Sequence, residues 1–204
     1  APYIPKIPGQ DEWLNAERSI VHSLYYDEPS PYEGISVLIV GGRSSGVDIS
    51  RELQGVATWT YVIEKKCSEL VSDAQKRVTH VPIGAALNED GHLYFDNTKA
   101  PGPPIDRVIL ATGYVYAFPF LNEDAVGMQF EGRRSCRPLF LHLQHAERPT
   151  LGFVGIQLAV PCPIPAFDAQ SRYLGEAWAS SDGALTPLEH LQSWVAQRLK
   201  TVEA

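Results

Sequence analysis

The sequence predicts an α/β fold built on a parallel sheet, and three observations carry that expectation. Ile35–Val40 is a continuous apolar, β-branched run that ends in Gly41-Gly42-Arg43-Ser44-Ser45-Gly46. Val47–Leu53 follows with apolar residues at helical spacing, and Thr58–Ile63 is again β-branched and aromatic. Strand, glycine turn, helix and strand within about 30 residues make a βαβ unit, whose two strands lie parallel.

The remaining elements follow from pattern. Ala1–Gly34 is rich in Pro and Tyr and reads as a linker with one short helical stretch, Glu12–Ser19. Beyond the βαβ unit, Arg77–Pro82 reads as a strand. Ala86–Asn88 and His92–Asp96 flank Glu89-Asp90-Gly91, an Asp-Gly signal for an antiparallel hairpin. Asp106–Leu110 returns as a buried strand that runs into Ala111-Thr112-Gly113-Tyr114. Strands are expected at Pro138–Leu143 and Thr150–Gly155, then helices at Ala166–Ala179 and Pro187–Lys200. The last is amphipathic through Leu188, Leu191, Trp194, Val195 and Leu199.

Composition narrows the function. The chain has 204 residues, 44% of them hydrophobic and 20% charged, with 4 Trp, 9 Tyr and 7 Phe, which supplies a packed core and argues against disorder. The net charge of −7, with no basic cluster beyond Lys65-Lys66, disfavours nucleic acid and anionic membrane as partners. Cys67, Cys136 and Cys162 are too scattered for a disulfide framework, which points to a reducing, cytoplasmic setting. No apolar run approaches the roughly 20 residues that span a bilayer, so no transmembrane segment is expected. The first residue is Ala, and Pro2, Pro5 and Pro8 read as the middle of a connection, so the chain is expected to be processed or partial.

The glycine turn is the sharpest chemical signal. A strand feeding a helix through glycines aims backbone N–H groups and the positive helix end at one spot, which suits a pyrophosphate. In the fingerprint G-x-G-x-x-G, Gly41 and Gly46 fill the first and third positions while Arg43 replaces the second glycine. Either Gly42 takes over that close approach or Arg43 contacts a phosphate by charge-assisted bonds. The bland alternative is a structural strand-to-helix turn. Glu64 stands where the ribose-binding acid is expected and favours a 2′-hydroxyl, whereas Lys65 and Lys66 favour a 2′-phosphate; the residues leave NAD and NADP both open. A solvated loop of mixed charge is the plain alternative.

Other patterns compete. Gly42-Arg43-Ser44-Ser45-Gly46 is a literal G-x-S-x-G, with Ser44 as nucleophile, Asp106 as orienting acid and His142 or His145 as base of a serine hydrolase. Ser44 comes too early in the chain for the strands that normally precede such an elbow. Tyr61 and Lys65 form the Y-x-x-x-K of short-chain dehydrogenases, but on a strand rather than a helix. Cys136, His142 and His145 are conceivable zinc donors without a fourth ligand, so no metal site is assigned.

Several segments together resemble the flavin-containing monooxygenases, in particular their shorter fungal and yeast-like members. His22-Ser23-Leu24-Tyr25-Tyr26 is similar to the family's H-S-x-x-Y element and Pro5-Lys6-Ile7-Pro8-Gly9 to its proline-rich approach. In the identifying F-x-G-x-x-x-H pattern, Ala16 and Arg18 replace the aromatic residue and the glycine. Val37–Leu53 is similar to the family's NADPH-binding turn and helix. Ala111-Thr112-Gly113-Tyr114 and Phe118-Pro119-Phe120-Leu121 match its A-T-G-Y and F-P-F-L elements, and Leu151–Gly155, Pro163, Gln170 and Arg172 resemble its closing strand and helix.

That resemblance implies a Rossmann-like NADPH-binding domain at 35–110, with a parallel sheet and the hairpin excursion. It also implies the C-terminal portion of a second, FAD-binding Rossmann-like domain at 111–204, with 1–34 as its linker. The implied activity is FAD- and NADPH-dependent oxygenation of a nitrogen or sulfur nucleophile through a C4a-hydroperoxyflavin, an N,N-dimethylaniline monooxygenase type of reaction. The implied cofactor residues are Gly41, Gly42, Arg43, Ser44, Ser45, Gly46, Thr112, Gly113, Tyr114 and Gln170, the last at a helix start beside the flavin. Asp48 is expected to fix the start of the helix after the turn. The family's first glycine turn, for the FAD pyrophosphate, has no counterpart here, so the fragment alone is expected to be inactive and to self-associate or pair with a flavin-binding half. An inactive nucleotide-binding module is the alternative of a different class.

Overall fold

The structure is a computed structural model that describes residues 1–15, 17–131, 135–157, 160–179 and 188–202. The chain divides into two compact units, Pro2–Tyr114 and Val115–Ala204, the second joined by Ala1.

The N-terminal unit runs in order through α1 (Gln10–Trp13), β1 (Ser19–His22), β2 (Ser36–Val40), α2 (Ser44–Glu52), β3 (Trp59–Ile63), β4 (Val71–Asp73), β5 (Val78–Val81), β6 (Ala86–Leu87), β7 (Leu93–Phe95), β8 (Thr98–Lys99) and β9 (Arg107–Leu110). Six strands form one sheet in the order β1-β9-β2-β3-β5-β4. All neighbours are parallel except β4, which pairs antiparallel with β5. The expected α/β class and parallel sheet are therefore present. The chain winds outward from β2 to β3 and β5, then returns to place β9 on the other side of β2. The carboxyl ends of β2 and β9 thus flank the point where the winding reverses.

Each face of this sheet is covered. Val37 and Ile39 of β2, with Ile109 of β9, pack with Ile49 of α2, with Leu53 at its C-cap, and with Ala57 and Tyr32. The alternate residues Leu38, Val108 and Leu110 pack with Trp13, Leu87, Leu93 and Ile105, beneath the three-stranded β6-β7-β8 sheet. Both faces being buried explains why β2 reads as an unbroken apolar run rather than an alternating one. The expected hairpin is seen: Gly91 N–H donates to the Asn88 carbonyl at 3.0 Å, with Gly91 at φ 88°. It gains a third strand through Asp96 and Asn97, both at positive φ, a turn backbone suited to a tight hairpin.

The segment expected as a linker differs most. Ser19–His22 is an edge strand beside β9, and Trp13, fully buried, donates its indole N–H to the Ile105 carbonyl at 3.1 Å. The helix expected at Glu12–Ser19 is instead the short α1. Downstream, the Asn15 side chain accepts from the N–H groups of Glu17 and Arg18, a turn that competes with helical bonding.

The C-terminal unit contains α3 (Glu123–Val126), the hairpin β10 (Gln129–Glu131) and β11 (Ser135–Arg137), the hairpin β12 (Leu139–Phe140) and β13 (Gln144–His145), then α4 (Pro163–Ala179) and α5 (Leu188–Val202). The expected strand Pro138–Leu143 is broken, because Leu141 and His142 take positive φ (51° and 56°) and Leu143 N–H donates to the Phe140 carbonyl, reversing the chain. The expected strand Thr150–Gly155 is reduced to a single bridge between Gly152 and Gln144. Helix α4 starts at Pro163, earlier than Ala166, since proline is tolerated in a first turn where its missing N–H is no loss. On α5, Leu191 and Val195 are buried with Phe140 and Ala146, and Trp194 meets Phe140 edge-on at 5.3 Å. Pro187 and the side chains of Leu188 and Leu199 lie outside what is described.

Candidate dinucleotide site at the sheet reversal

The glycine turn occupies the carboxyl end of β2, at the winding reversal, where open α/β sheets bind ligands. Gly41 has φ 118°, and its N–H donates to the Ile63 carbonyl at 2.9 Å. A Cβ on Gly41 would stand 2.3 Å from the Ala111 carbonyl oxygen, and one on Gly46 would stand 1.7 Å from the Gly41 oxygen. The first and third fingerprint glycines are thus required by close approach of α2 to β2 and β9. Gly42 has its own reason: a Cβ there would lie 2.5 Å from Glu64 Cβ. Its glycine serves the strand end of β3, and Arg43, exposed at the helix N-cap, is sterically free to differ from the fingerprint.

Helix α2 begins at Ser44 with no side chain capping it. Its first intrahelical bond runs from Val47 N–H to the Arg43 carbonyl at 2.9 Å. The N–H groups of Ser44, Ser45 and Gly46 therefore have no intrahelical acceptor, and the exposed hydroxyls of Ser44 and Ser45 stand beside them. Donors without acceptors, a positive helix end and glycine backbone in one place fit an anionic pyrophosphate. Asp48 does not fix the helix start; it is the fifth helical residue, exposed, 4.0 Å from Arg51.

Glu64 lies directly past β3. Its N–H donates to the Val81 carbonyl at 3.1 Å, and its Oε1 accepts from His80 Nδ1 at 2.7 Å. Glu64 Oε2 is 2.6 Å from the position of a Gly42 Cβ, so this carboxylate sits against the glycine turn. His80 was not singled out in the sequence; only the β3/β5 register, which pairs Val62 with His80, brings it to Glu64.

Thr112, Gly113 and Tyr114 come to the same end of the sheet after β9. Thr112 Oγ1 donates to the Tyr3 carbonyl, Tyr3 N–H donates to the Gly113 carbonyl at 2.8 Å, and Pro2 bridges Tyr114. Tyr114 remains about half exposed and meets His22 edge-on at 5.2 Å. His22 Nδ1 accepts from Leu24 N–H, which leaves Nε2 protonated to donate to the Gly113 carbonyl at 3.0 Å. The H-S element thus holds the A-T-G-Y loop. Ala16 of the degraded signature lies outside the described residues, while Arg18 donates to the Trp13 and Glu89 carbonyls. In the C-terminal unit, Gln170 is not at a helix start. It lies well inside α4, where its Oε1 accepts from Gly155 N–H at 3.0 Å and its amide NH2 stays available to donate.

The competing chemistries find no geometry. Asp106 Oδ2 accepts from Ser36 N–H at 2.8 Å, at the amino end of β2, whereas Ser44 lies beyond its carboxyl end. Parallel strands of this length separate them by more than about 13 Å, so no triad forms. His142 is exposed in its turn, while His145 is fully buried and its Nδ1 accepts from the N–H groups of Glu147 and Arg148. Burial pushes the His145 pKa down. Tyr61 is buried, its pKa raised by that burial, and it donates to the Pro103 carbonyl at 2.7 Å, away from any role in proton transfer. Among the described residues, no group of His, Cys, Asp or Glu is placed to hold a metal, and no helix is long and apolar enough to cross a membrane.

Comparison with known proteins agrees with this architecture. A family model described as flavin-binding monooxygenase-like matches residues 75–180. Flavin-containing monooxygenase FMO GS-OX-like 9 of Arabidopsis thaliana is 30% identical over 94% of this chain and 41% of its own length. FMO GS-OX-like 8 from the same plant is 32% identical over 86% of this chain and 38% of its own. The structure of S-allyl-L-cysteine S-oxygenase from Allium sativum superposes with a TM-score of 0.82 and 28% identity, over 99% of this chain and 45% of that one. The chain spans about two fifths of the length of the curated relatives it matches. A matched model over residues 75–180 and these relatives, on a fold that sets a glycine turn at a sheet reversal, lead to one conclusion: the chain belongs to the flavin-binding monooxygenase-like family.

Proposed function

We propose that the N-terminal unit binds a nicotinamide dinucleotide for a flavin-dependent monooxygenase that oxygenates a soft sulfur or nitrogen nucleophile. The observation that carries this reading is the turn Gly41–Gly46, whose close approaches only glycine allows and whose helix offers three N–H donors without intrahelical acceptors. Gly41, Gly42 and Gly46 let backbone reach the pyrophosphate, Ser44 and Ser45 add hydroxyl donors, and Arg43 reaches a phosphate oxygen from the N-cap. Thr112, Gly113 and Tyr114 border the cofactor at the end of β9, with Tyr114 presenting an aromatic face. When bound, FAD supplies the oxygen chemistry and the nicotinamide supplies the hydride.

For the flavin this chain offers Gln170, whose amide NH2 would be free to donate to it while its Oε1 stays fixed by Gly155. The glycine turn at Gly41 is assigned to the nicotinamide dinucleotide, so the FAD pyrophosphate must be held by other groups. Sulfur is the favoured nucleophile, since the structurally similar garlic protein is an S-oxygenase. The reducing, cytoplasmic setting and the kinship with the shorter fungal and yeast-like members belong to the same reading.

Calorimetric titration of the chain with NADPH or NADH and, separately, with FAD tests it. Dinucleotide binding that is lost in Gly46→Val, with FAD bound weakly or not at all, supports the assignment. Stoichiometric FAD binding that excludes the dinucleotide would transfer the glycine turn to the flavin. No binding of either would favour a nucleotide-free interaction module.

A further inference from the structure

We propose that Glu64, held by His80, makes the dinucleotide site select an unphosphorylated adenosine ribose, so that NADH binds in preference to the NADPH implied by the family resemblance. The inference rests on the dinucleotide reading above and adds its specificity.

In a βαβ dinucleotide site the residue ending the second strand faces the adenosine ribose, and an acid there accepts from the 2′-hydroxyl. Glu64 directly follows the last residue of β3, Ile63. One carboxylate oxygen, Oε1, accepts from His80 Nδ1 at 2.7 Å, which fixes the rotamer across the ends of β3 and β5. The other, Oε2, lies against Gly42, where a Cβ would come within 2.6 Å. It makes no hydrogen bond with a described residue. A hydroxyl satisfies that oxygen. A 2′-phosphate brings only acceptors and up to two negative charges to the same place, setting like charge against like.

Lys65 and Lys66 are the groups that could offset this. Both are exposed in the turn past Glu64 and pair with no described carboxylate. Glu64 has a side chain only 21% exposed and lies directly against the glycine turn at Gly42, whereas the two lysines are exposed, so the carboxylate is the charge packed on the turn. Gly42 is also explained: any larger residue would displace Glu64 from this position.

The experiment is calorimetric titration of the 204-residue chain with NADH and with NADPH, repeated on Glu64→Gln and on the double variant Lys65→Ala/Lys66→Ala. The expected result is NADH bound tighter than NADPH by about tenfold or more, narrowing to within about threefold in Glu64→Gln and unchanged in the lysine variant. NADPH bound as tightly as NADH, or a ratio unmoved by Glu64→Gln, overturns this inference and leaves the dinucleotide site standing. Binding of neither nucleotide overturns the dinucleotide reading and this inference with it.

Discussion

His22 Nε2 donates to the Gly113 carbonyl at 3.0 Å across 91 residues of sequence, and Tyr3 N–H donates to the same oxygen at 2.8 Å. One carbonyl thereby ties an edge strand and the N-terminal arm to the loop after β9. His22 is 2% exposed, so its replacement leaves buried polar groups unmatched. His22→Ala is expected to lower unfolding stability by about 1–3 kcal/mol. Urea denaturation measures it, and hydrogen exchange at the Leu24 amide, which His22 Nδ1 accepts, should accelerate.

The glycines of the turn and of helix α4 should respond with opposite signs. Gly46→Ala forces a Cβ into the Gly41 carbonyl and is expected to cost about 1–3 kcal/mol. Gly175, exposed within α4, has open space where a Cβ would stand, so Gly175→Ala should stabilise by about 0.5–1 kcal/mol. Thermal denaturation of both variants checks the pair, and equal shifts would contradict the packing.

Burial lowers the His145 pKa, so the folded state resists a proton that the unfolded state accepts near the ordinary histidine value of 6.5. This contribution to stability is complete above pH 6.5 and is lost as pH falls below it toward the folded value. Urea midpoints at pH 7.5 and pH 5 should therefore differ more in the wild type than in His145→Gln, which cannot titrate. Identical pH dependence of the two proteins would mean that His145 accepts its proton without unfolding.

Tyr61→Phe removes only the hydroxyl that donates to the Pro103 carbonyl. The expected loss is about 1 kcal/mol in urea unfolding with dinucleotide affinity unchanged. A selective loss of turnover in a reconstituted monooxygenase would instead give Tyr61 a chemical role.

The elements readable from the sequence are those whose signal is local. The run Val37–Val40, the glycine turn and helix α2 announce themselves because a strand buried on both faces is apolar without alternation and because Gly41, Gly42 and Gly46 have no room for a side chain. Ser19–His22 carries no comparable mark: as an edge strand of four residues it is defined by its pairing with β9, which lies far along the chain. Leu141 and His142 hide the chain reversal for a related reason: leucine rarely takes the left-handed backbone seen there, and a single histidine, though more tolerant of it, does not announce a turn inside an apolar run. At the site, Glu64 was legible from its distance to the glycine turn, whereas His80 required the register of β5. Arg43 remains a departure from the fingerprint that no local pattern explains: it stands exposed at the helix N-cap, while the glycine beside it, Gly42, answers to Glu64.

The position of β9 between β1 and β2 governs the order in which the sheet can assemble. Strands β1 and β2 precede it in the chain, yet they do not pair with each other; both wait for Arg107–Leu110. During synthesis, β2, α2, β3 and β5 can associate early, but β1 remains an unmatched segment until β9 has emerged and filled the gap. The loop closures are long, so the slow part of folding is expected to be insertion of this one strand, not formation of the βαβ unit. The same insertion completes the floor of the glycine turn, because Ala111 supplies the carbonyl beneath Gly41. A chain ending before Leu110 would therefore carry the fingerprint sequence without the surface that shapes it.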